Sequence, residues 1–182
     1  MAYFVFDAHY HLDQNKAELI GAKQMESFKT WLLEKKDRAV FKLLVSPAAW
    51  TLNLSGGTTW RNFEQERNQV LDFIEEHDIQ GCIFVSGDAH VVGVFELRKG
   101  MIEISASPFA ASSPPFNTFG NNEDKTLFMQ PEFKIGDVNQ YALYNITTAE
   151  TGSVAEISIM KDRLALYKIR IFPNGEYESI DL

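Results

Sequence analysis

Apolar and polar positions along the chain change period several times, and each change marks an element. Residues 3–6 form a short apolar run that stops at Asp7, the pattern of a buried strand. Over residues 21–36 the period becomes helical. Met25, Phe28 and Leu32 share one face, while Lys29, Lys35 and Lys36 are left to the solvent side. Residues 40–45 are again a continuous apolar run of strand length, ended by Ser46-Pro47. A polar, glycine-containing stretch over 53–59 leads to a second helix, for which Asn62 is placed as cap and Gln65 holds the capping-box position. Val70, Phe73 and Ile74 make its buried stripe, and it ends near His77-Asp78. A third buried strand follows over 80–86. Strand, helix, strand, helix, strand in succession implies a parallel layer with helices packed on it.

From residue 91 onward the pattern changes. Residues 91–97 and 101–106 predict a hairpin around Arg98-Lys99-Gly100. A stretch without periodicity follows over 107–124, with three prolines and with Phe109, Phe116 and Phe119. A loop of that length in a compact domain is usually functional or mobile. The remainder is β-rich. Ala155, Ile157 and Ile159 alternate with polar positions, as do Ala165, Tyr167, Ile169 and Ile171, with Lys161-Asp162 as the turn between them and Asn174-Gly175 marking a last hairpin. The expected fold class is α/β. A mixed sheet with two helices occupies 1–106, the long loop spans 107–124, and an antiparallel β-rich extension covers 125–182, all within one domain.

Composition narrows the function classes. The 182 residues are 45% hydrophobic and 13% aromatic, enough for a sizeable core. The formal net charge of −8 removes the electrostatic basis of phosphate-backbone binding, so nucleic acid is not an expected partner. A single cysteine, Cys82, allows no internal disulfide and no thiolate metal cluster, and inside its apolar run it reads as a small buried side chain. The first six residues lack the positive flank and the length of a signal peptide, and no run reaches transmembrane length. A soluble, cytoplasmic chain without a membrane partner is the expectation.

Three segments carry candidate chemistry. Gly87-Asp88-Ala89-His90 comes directly after the third strand, and in α/β sheets ligands gather beyond the carboxyl ends of the strands. Asp88 and His90 offer a carboxylate oxygen and an imidazole nitrogen, ligand types suited to Zn, Fe, Mn or Co, with Ca a further option. A turn in which Asp88 caps amides and His90 packs as a half-buried ring explains the same four residues equally well. If the first strand continues, Asp7, His9 and His11 project to one face. This Asp-x-His-x-His order is reminiscent of the opening of amidohydrolase barrels, but 182 residues and four histidines are too few for such a barrel of about 250 residues. In the third segment, residues 58–67, Trp60 and Phe63 can wall a pocket and Arg67 can touch an anion; taken alone, a hydrophobic staple and an ordinary surface pair account for it.

Taken in order, these segments resemble the C-terminal half of the alkaline phosphatase D (PhoD-like) metallophosphoesterases. The resemblance runs from Asp7-Ala8-His9 through Ile20-Gly21-Ala22-Lys23-Gln24 and Trp31-Leu32. It continues with Thr58-Thr59-Trp60, Glu66-Arg67 and Ser86-Gly87-Asp88-Ala89-His90, and ends at Ile104-Ser105-Ala106-Ser107-Pro108. It covers about residues 3–110, and Gly-Asp-x-His is its most specific element. His9 stands where the family has arginine, and Thr58 where it has the aspartate before the tryptophan. The family's earlier ligand segments have no counterpart in this chain.

The resemblance implies metal-dependent hydrolysis of phosphate mono- or diesters, with Asp88 and His90 as metal ligands and the 107–124 loop bordering the ester. Asp7, His9 and His11 are weaker candidate ligands, and His9, His11 and Arg67 are the candidate catalytic residues. Two ligands do not hold two metals, and catalytic zinc ordinarily takes three protein ligands. The expected partner is therefore a missing N-terminal half or a further copy of the chain, since half a sandwich leaves a sheet face uncovered. The alternative from another class is a non-catalytic binding module that keeps the fold and has lost the chemistry.

Overall fold

The computed structural model describes residues 1–8, 12–13, 17–51, 58–87, 92–106, 124–130, 140–148, 152–161 and 163–182. Two strand–helix–strand units open the chain. β1 (Ala2–Val5), α1 (Gly21–Lys35), β2 (Lys42–Ser46), α2 (Glu64–Glu76) and β3 (Cys82–Ser86) follow one another, and the three strands pair in parallel. β4 (Val92–Arg98) and β5 (Met101–Ala106) form the expected hairpin. β5 lies parallel to β3, and β6 (Lys125–Gln130) closes the far edge. The mixed sheet thus has the order β1-β2-β3-β5-β4-β6. β7 (Gln140–Thr147), β8 (Val154–Lys161), β9 (Leu164–Ile171) and β10 (Tyr177–Ile180) make an antiparallel meander of order β10-β9-β8-β7.

Alternation along the strands produces two cores. Phe6, Leu44 and Phe84 point to the helix side and pack with Phe28 and Leu32 of α1, Val70 and Ile74 of α2, and Trp50 and Trp60. Ile83, Ile102, Ile104, Val92 and Val94 point the other way and meet Ala155, Ile157, Ile159, Ile169 and Ile171 of the meander. The β-rich extension is therefore a third layer that covers much of the sheet face expected to stay open. Its outer face is polar: Arg170 on β9 bridges Glu156 on β8 and Glu178 on β10, each at 3.1 Å. The sheets also touch at their turns, where Gly100 and Gly175, at φ +79° and +83°, approach so closely that a Cβ on Gly100 would lie 2.9 Å from the Gly175 Cα. Among the described residues no helix is long and apolar enough to cross a membrane.

Two local expectations give way. Asn62 does not cap α2: Trp60–Phe63 coil into a 3-10 turn, and the helix starts at Glu64 without a side-chain cap of its own. Burial of Trp60 and Phe63 on the helix-side core sets that entry, which overrides the capping box. Of the expected Lys161-Asp162 turn, Lys161 is still in β8, paired with Leu164, while Asp162 lies outside the described residues. Of the predicted α2 stripe, Val70 and Ile74 are buried, whereas Phe73 is half-buried and carries the His77 ring on its face at 4.1 Å.

Helix ends are closed over long sequence distances. Glu66 of α2 accepts the backbone N–H groups of Leu19, Ile20 and Gly21 at 2.6, 3.0 and 3.0 Å. The carboxylate thereby fills the amide cluster at the N-terminus of α1, where the helix dipole favours negative charge. At the other end the buried Lys42 ammonium donates to Lys36 O and Gln80 O, and Lys36 donates to His77 O at 2.6 Å. Burial holds the Lys42 pKa below its ordinary value. Replacing Glu66 by Gln turns an amide NH₂ toward donors, and a loss of about 1–3 kcal/mol in urea unfolding is expected. An unchanged midpoint would show that this cap carries no weight.

Candidate functional site

Three parallel strands ending side by side bring their next residues to one rim. Asp7 follows β1, Pro47 follows β2 and Gly87 follows β3, and between them opens a mostly apolar recess of about 630 Å³ floored by Val5, Val45 and Val85. The three valines stand in register across the strands. The Asp7 backbone is clamped by one side chain of α1. Gln24 Oε1 accepts its N–H at 2.7 Å, and Gln24 Nε2 donates to its carbonyl at 3.0 Å. That clamp fixes the chain direction where the segment with His9 and His11 begins.

On the helix side of the same rim lies a buried polar layer. Ser46, Ser86 and Ser105 stand in register on β2, β3 and β5, and all three are buried. Ser46 Oγ accepts the Trp60 indole N–H at 2.9 Å and the Ala48 amide at 3.1 Å. Ser86 donates to Glu103, whose carboxylate is fully buried and also accepts the amides of Trp50 and Thr51, each at 2.9 Å. Burial raises the Glu103 pKa, and the hydrogen bonds from Ser86 and the 50–51 backbone pull it partly back. Arg67 completes the layer: Nε donates to the Trp50 carbonyl at 2.9 Å and Nη2 to Asp124 at 2.7 Å, in a salt bridge whose two side chains are each 5% exposed. Burial lowers the Arg67 pKa, and Asp124 opposes that shift. The Trp50 peptide is thus held from both sides, while its indole stacks on Trp60 at 3.8 Å and 9°.

The candidates read from the sequence fare unequally. Asp7 sits exposed at the rim. Arg67, expected to touch an anion or to form a surface pair, is instead a buried brace between the Trp50 carbonyl and the start of β6. His9, His11, Asp88 and His90 lie outside the described residues, as does the 107–124 loop up to Asp124. Among the described residues no three His, Cys, Asp or Glu side chains stand close enough to hold an ion. Glu103 was not singled out from the sequence, and Ser46, Ser86 and Glu66 entered only as a strand stop or within the resemblance, with no role assigned. A charged residue inside the apolar run 101–106 is the signal that could have found Glu103, because carboxylates are rarely fully buried without partners.

The raised Glu103 pKa fixes a sign. The folded state binds this proton more tightly than the unfolded chain, so the stabilisation is complete below pH 4.5, the ordinary value, and is lost as pH rises to the folded pKa. The Glu103→Gln variant is expected to flatten that slope in urea titrations taken at successive pH values. An identical slope in the variant would assign the dependence to other groups.

The geometry has counterparts among solved structures. The structure of PhoD matches over all of this chain and 42% of its own, with TM-score 0.62 and 13% identity. The structure of GAP50, the anchor in the inner membrane complex of Plasmodium, matches over 94% of this chain and 49% of its own, with TM-score 0.61 and 15% identity. The chain thus spans less than half the length of either, and identities this low establish the shared fold alone. No curated protein matches the sequence. The family model of the PhoD-like phosphatases, however, matches residues 6–157, a span that takes in Gln24, Glu66, Arg67 and Glu103 together with the Gly87–His90 segment. On that match the chain belongs to the PhoD-like phosphatase family.

Proposed function

We propose that this chain supplies one side of a metal-dependent phosphoesterase site built on the carboxyl rim of β1, β2 and β3. The observation that carries the reading is the coincidence of a family match over residues 6–157 with a Gly-Asp-x-His segment issuing from β3 beside an open recess. Asp88 and His90 are the ligands in this reading, one hard oxygen and one imidazole nitrogen, a donor pair suited to Zn, Fe, Mn or Co. Asp7, His9 and His11 are the supplementary donors available from β1. A divalent ion bound there would polarise phosphoryl oxygens and lower the pKa of a bound water. The residues of this chain then have distinct tasks. Gln24 sets the direction of the β1 exit, and Ser86 with Glu103 anchors the β3 exit. Arg67 and Asp124 tie the end of the 107–124 segment to the rim, which would form one wall of the ester site.

Two ligands fall short of the three that catalytic zinc usually takes. The reading therefore places further ligands on a chain segment corresponding to the part of PhoD that this chain does not match, carried on a longer polypeptide or a separate one. A second reading, a binding module that keeps the fold without the chemistry, draws support from GAP50, whose name makes it an anchor and whose fold is shared at TM-score 0.61.

Metal content separates the two. Chain purified without chelator, beside Asp88→Ala and His90→Ala, is expected to carry near-stoichiometric transition metal that both variants lose. With added Mn²⁺ or Zn²⁺, any hydrolysis of a chromogenic phosphodiester should fall about 100-fold in either variant. Metal-free protein that stays inert with every divalent ion would hand the lead to the binding module.

A further inference from the structure

We propose that Asn174-Gly175 is a self-modifying site. The fold holds it unreacted, opening of the β9–β10 turn lets it cyclise, and the product no longer fits between the two sheets. The proposal stands apart from the phosphoesterase reading and uses none of its residues.

Asn174 is the only asparagine of this sequence followed by glycine. Glycine has no Cβ to shield its backbone nitrogen, so that nitrogen can reach the carboxamide carbon of the residue before it. The covalent step is an exchange of amides. The Gly175 nitrogen bonds to Cγ of Asn174, the bond from Cγ to its amino group breaks, and the proton lost by Gly175 leaves with that group as ammonia. Water then opens the succinimide ring. Addition at Cγ gives aspartate. Addition at the main-chain carbonyl gives isoaspartate, in which the backbone runs through Cβ and is longer by a methylene.

In the folded chain both reacting groups are held. Gly175 N–H donates to Phe172 O at 3.0 Å, and Phe172 N–H donates to Glu176 O at 2.8 Å. These bonds close a short hairpin loop with Gly175 in the left-handed region at φ +83°. The Asn174 carboxamide oxygen accepts Glu176 N–H at 3.1 Å, which fixes the side chain to the backbone two residues on. Ring closure needs the Gly175 nitrogen stripped of its proton and turned onto Cγ, so both restraints must part first. Asn174 is exposed, and an exposed loop tip opens at lower free energy than the core.

The turn sits where the product does most damage. A Cβ on Gly175 would lie 2.9 Å from the Gly100 Cα, and one on Gly100 would lie 2.9 Å from the Gly175 Cα. The contact between the meander and the β4–β5 turn therefore has no room for a methyl group. Isoaspartate inserts a methylene into the backbone one residue before that contact and removes the carboxamide that Glu176 N–H bonds. Asn174 and Gly175 also line a recess with Glu96 and Tyr177, and there the Tyr177 hydroxyl donates to Glu96 at 3.0 Å. Displacing the turn loosens this link between β10 and β4 together with the glycine contact.

The test incubates the full chain beside a peptide spanning residues 170–180 in mildly alkaline buffer and follows Asn174 by peptide mapping. Conversion in the native chain is expected between about ten and about a hundred times more slowly than in the peptide, the cost of opening an exposed turn. Urea should bring the chain to the peptide's rate. The isoaspartate fraction should melt lower than fresh chain, while Asn174→Asp, which adds the charge without the methylene, should melt with the parent. A native chain that reacts at the peptide's rate, or one still unconverted after about a hundred peptide half-times, would overturn the proposal. So would an isoaspartate fraction that melts like fresh chain, or an Asn174→Asp variant that melts as low as that fraction.

Discussion

A single carboxylate, that of Glu103, sits in the middle of the sheet with no access to water and satisfies donors from two other chain segments at once. Removing a charge from water is costly unless hydrogen bonds replace its hydration. Ser86 and the amides of Trp50 and Thr51 do so, and in return their positions are fixed. The 50–51 turn, the end of β3 and, through the Trp50 carbonyl, Arg67 and Asp124 all take their places from this group. The carboxyl rim is thus a polar lattice laid over an apolar core, and it is held from beneath.

Much of the architecture was legible in the sequence because it depends on local period. Met25, Phe28 and Leu32 lie buried along α1 as their spacing predicts, and the alternation of Ala155, Ile157 and Ile159 reads directly as one face of β8. What escaped has no local period. Glu66 caps a helix whose first residues lie 45–47 positions earlier, and Glu103 holds amides 52 and 53 positions away. Asn62 had the right spacing for a cap and still lost, since two aromatic side chains gained more by burial than one helix end gains from an asparagine. The covering of the sheet by the chain's own meander was equally hidden, because alternation shows that a strand has an apolar face and does not show which surface that face meets. Of the candidate site, only Asp7 and Arg67 can be placed, and Arg67 proves to be a brace because it and Asp124 are both buried.

The residues that carried the family resemblance turn out to hold backbone. Gln24 grips Asp7, Glu66 gathers the start of α1 and Arg67 grips Trp50. At 13% identity to PhoD the fold persists. Such residues testify to the shape of a rim. The chemistry depends on what stands on it, and among the described residues no three His, Cys, Asp or Glu side chains come close enough to hold an ion.

The Trp50–Trp60 stack gives the rim a spectroscopic identity. Two indoles in face contact at 3.8 Å, both excluded from water, are close enough for their electronic transitions to couple, while Trp31 packs half-buried against Phe4. One indole belongs to the turn gripped by Glu103 and Arg67, and the other hydrogen-bonds the serine that ends β2. Any rearrangement at the carboxyl end must therefore slide one ring over the other. The near-ultraviolet circular dichroism of the protein should register such a movement without any label.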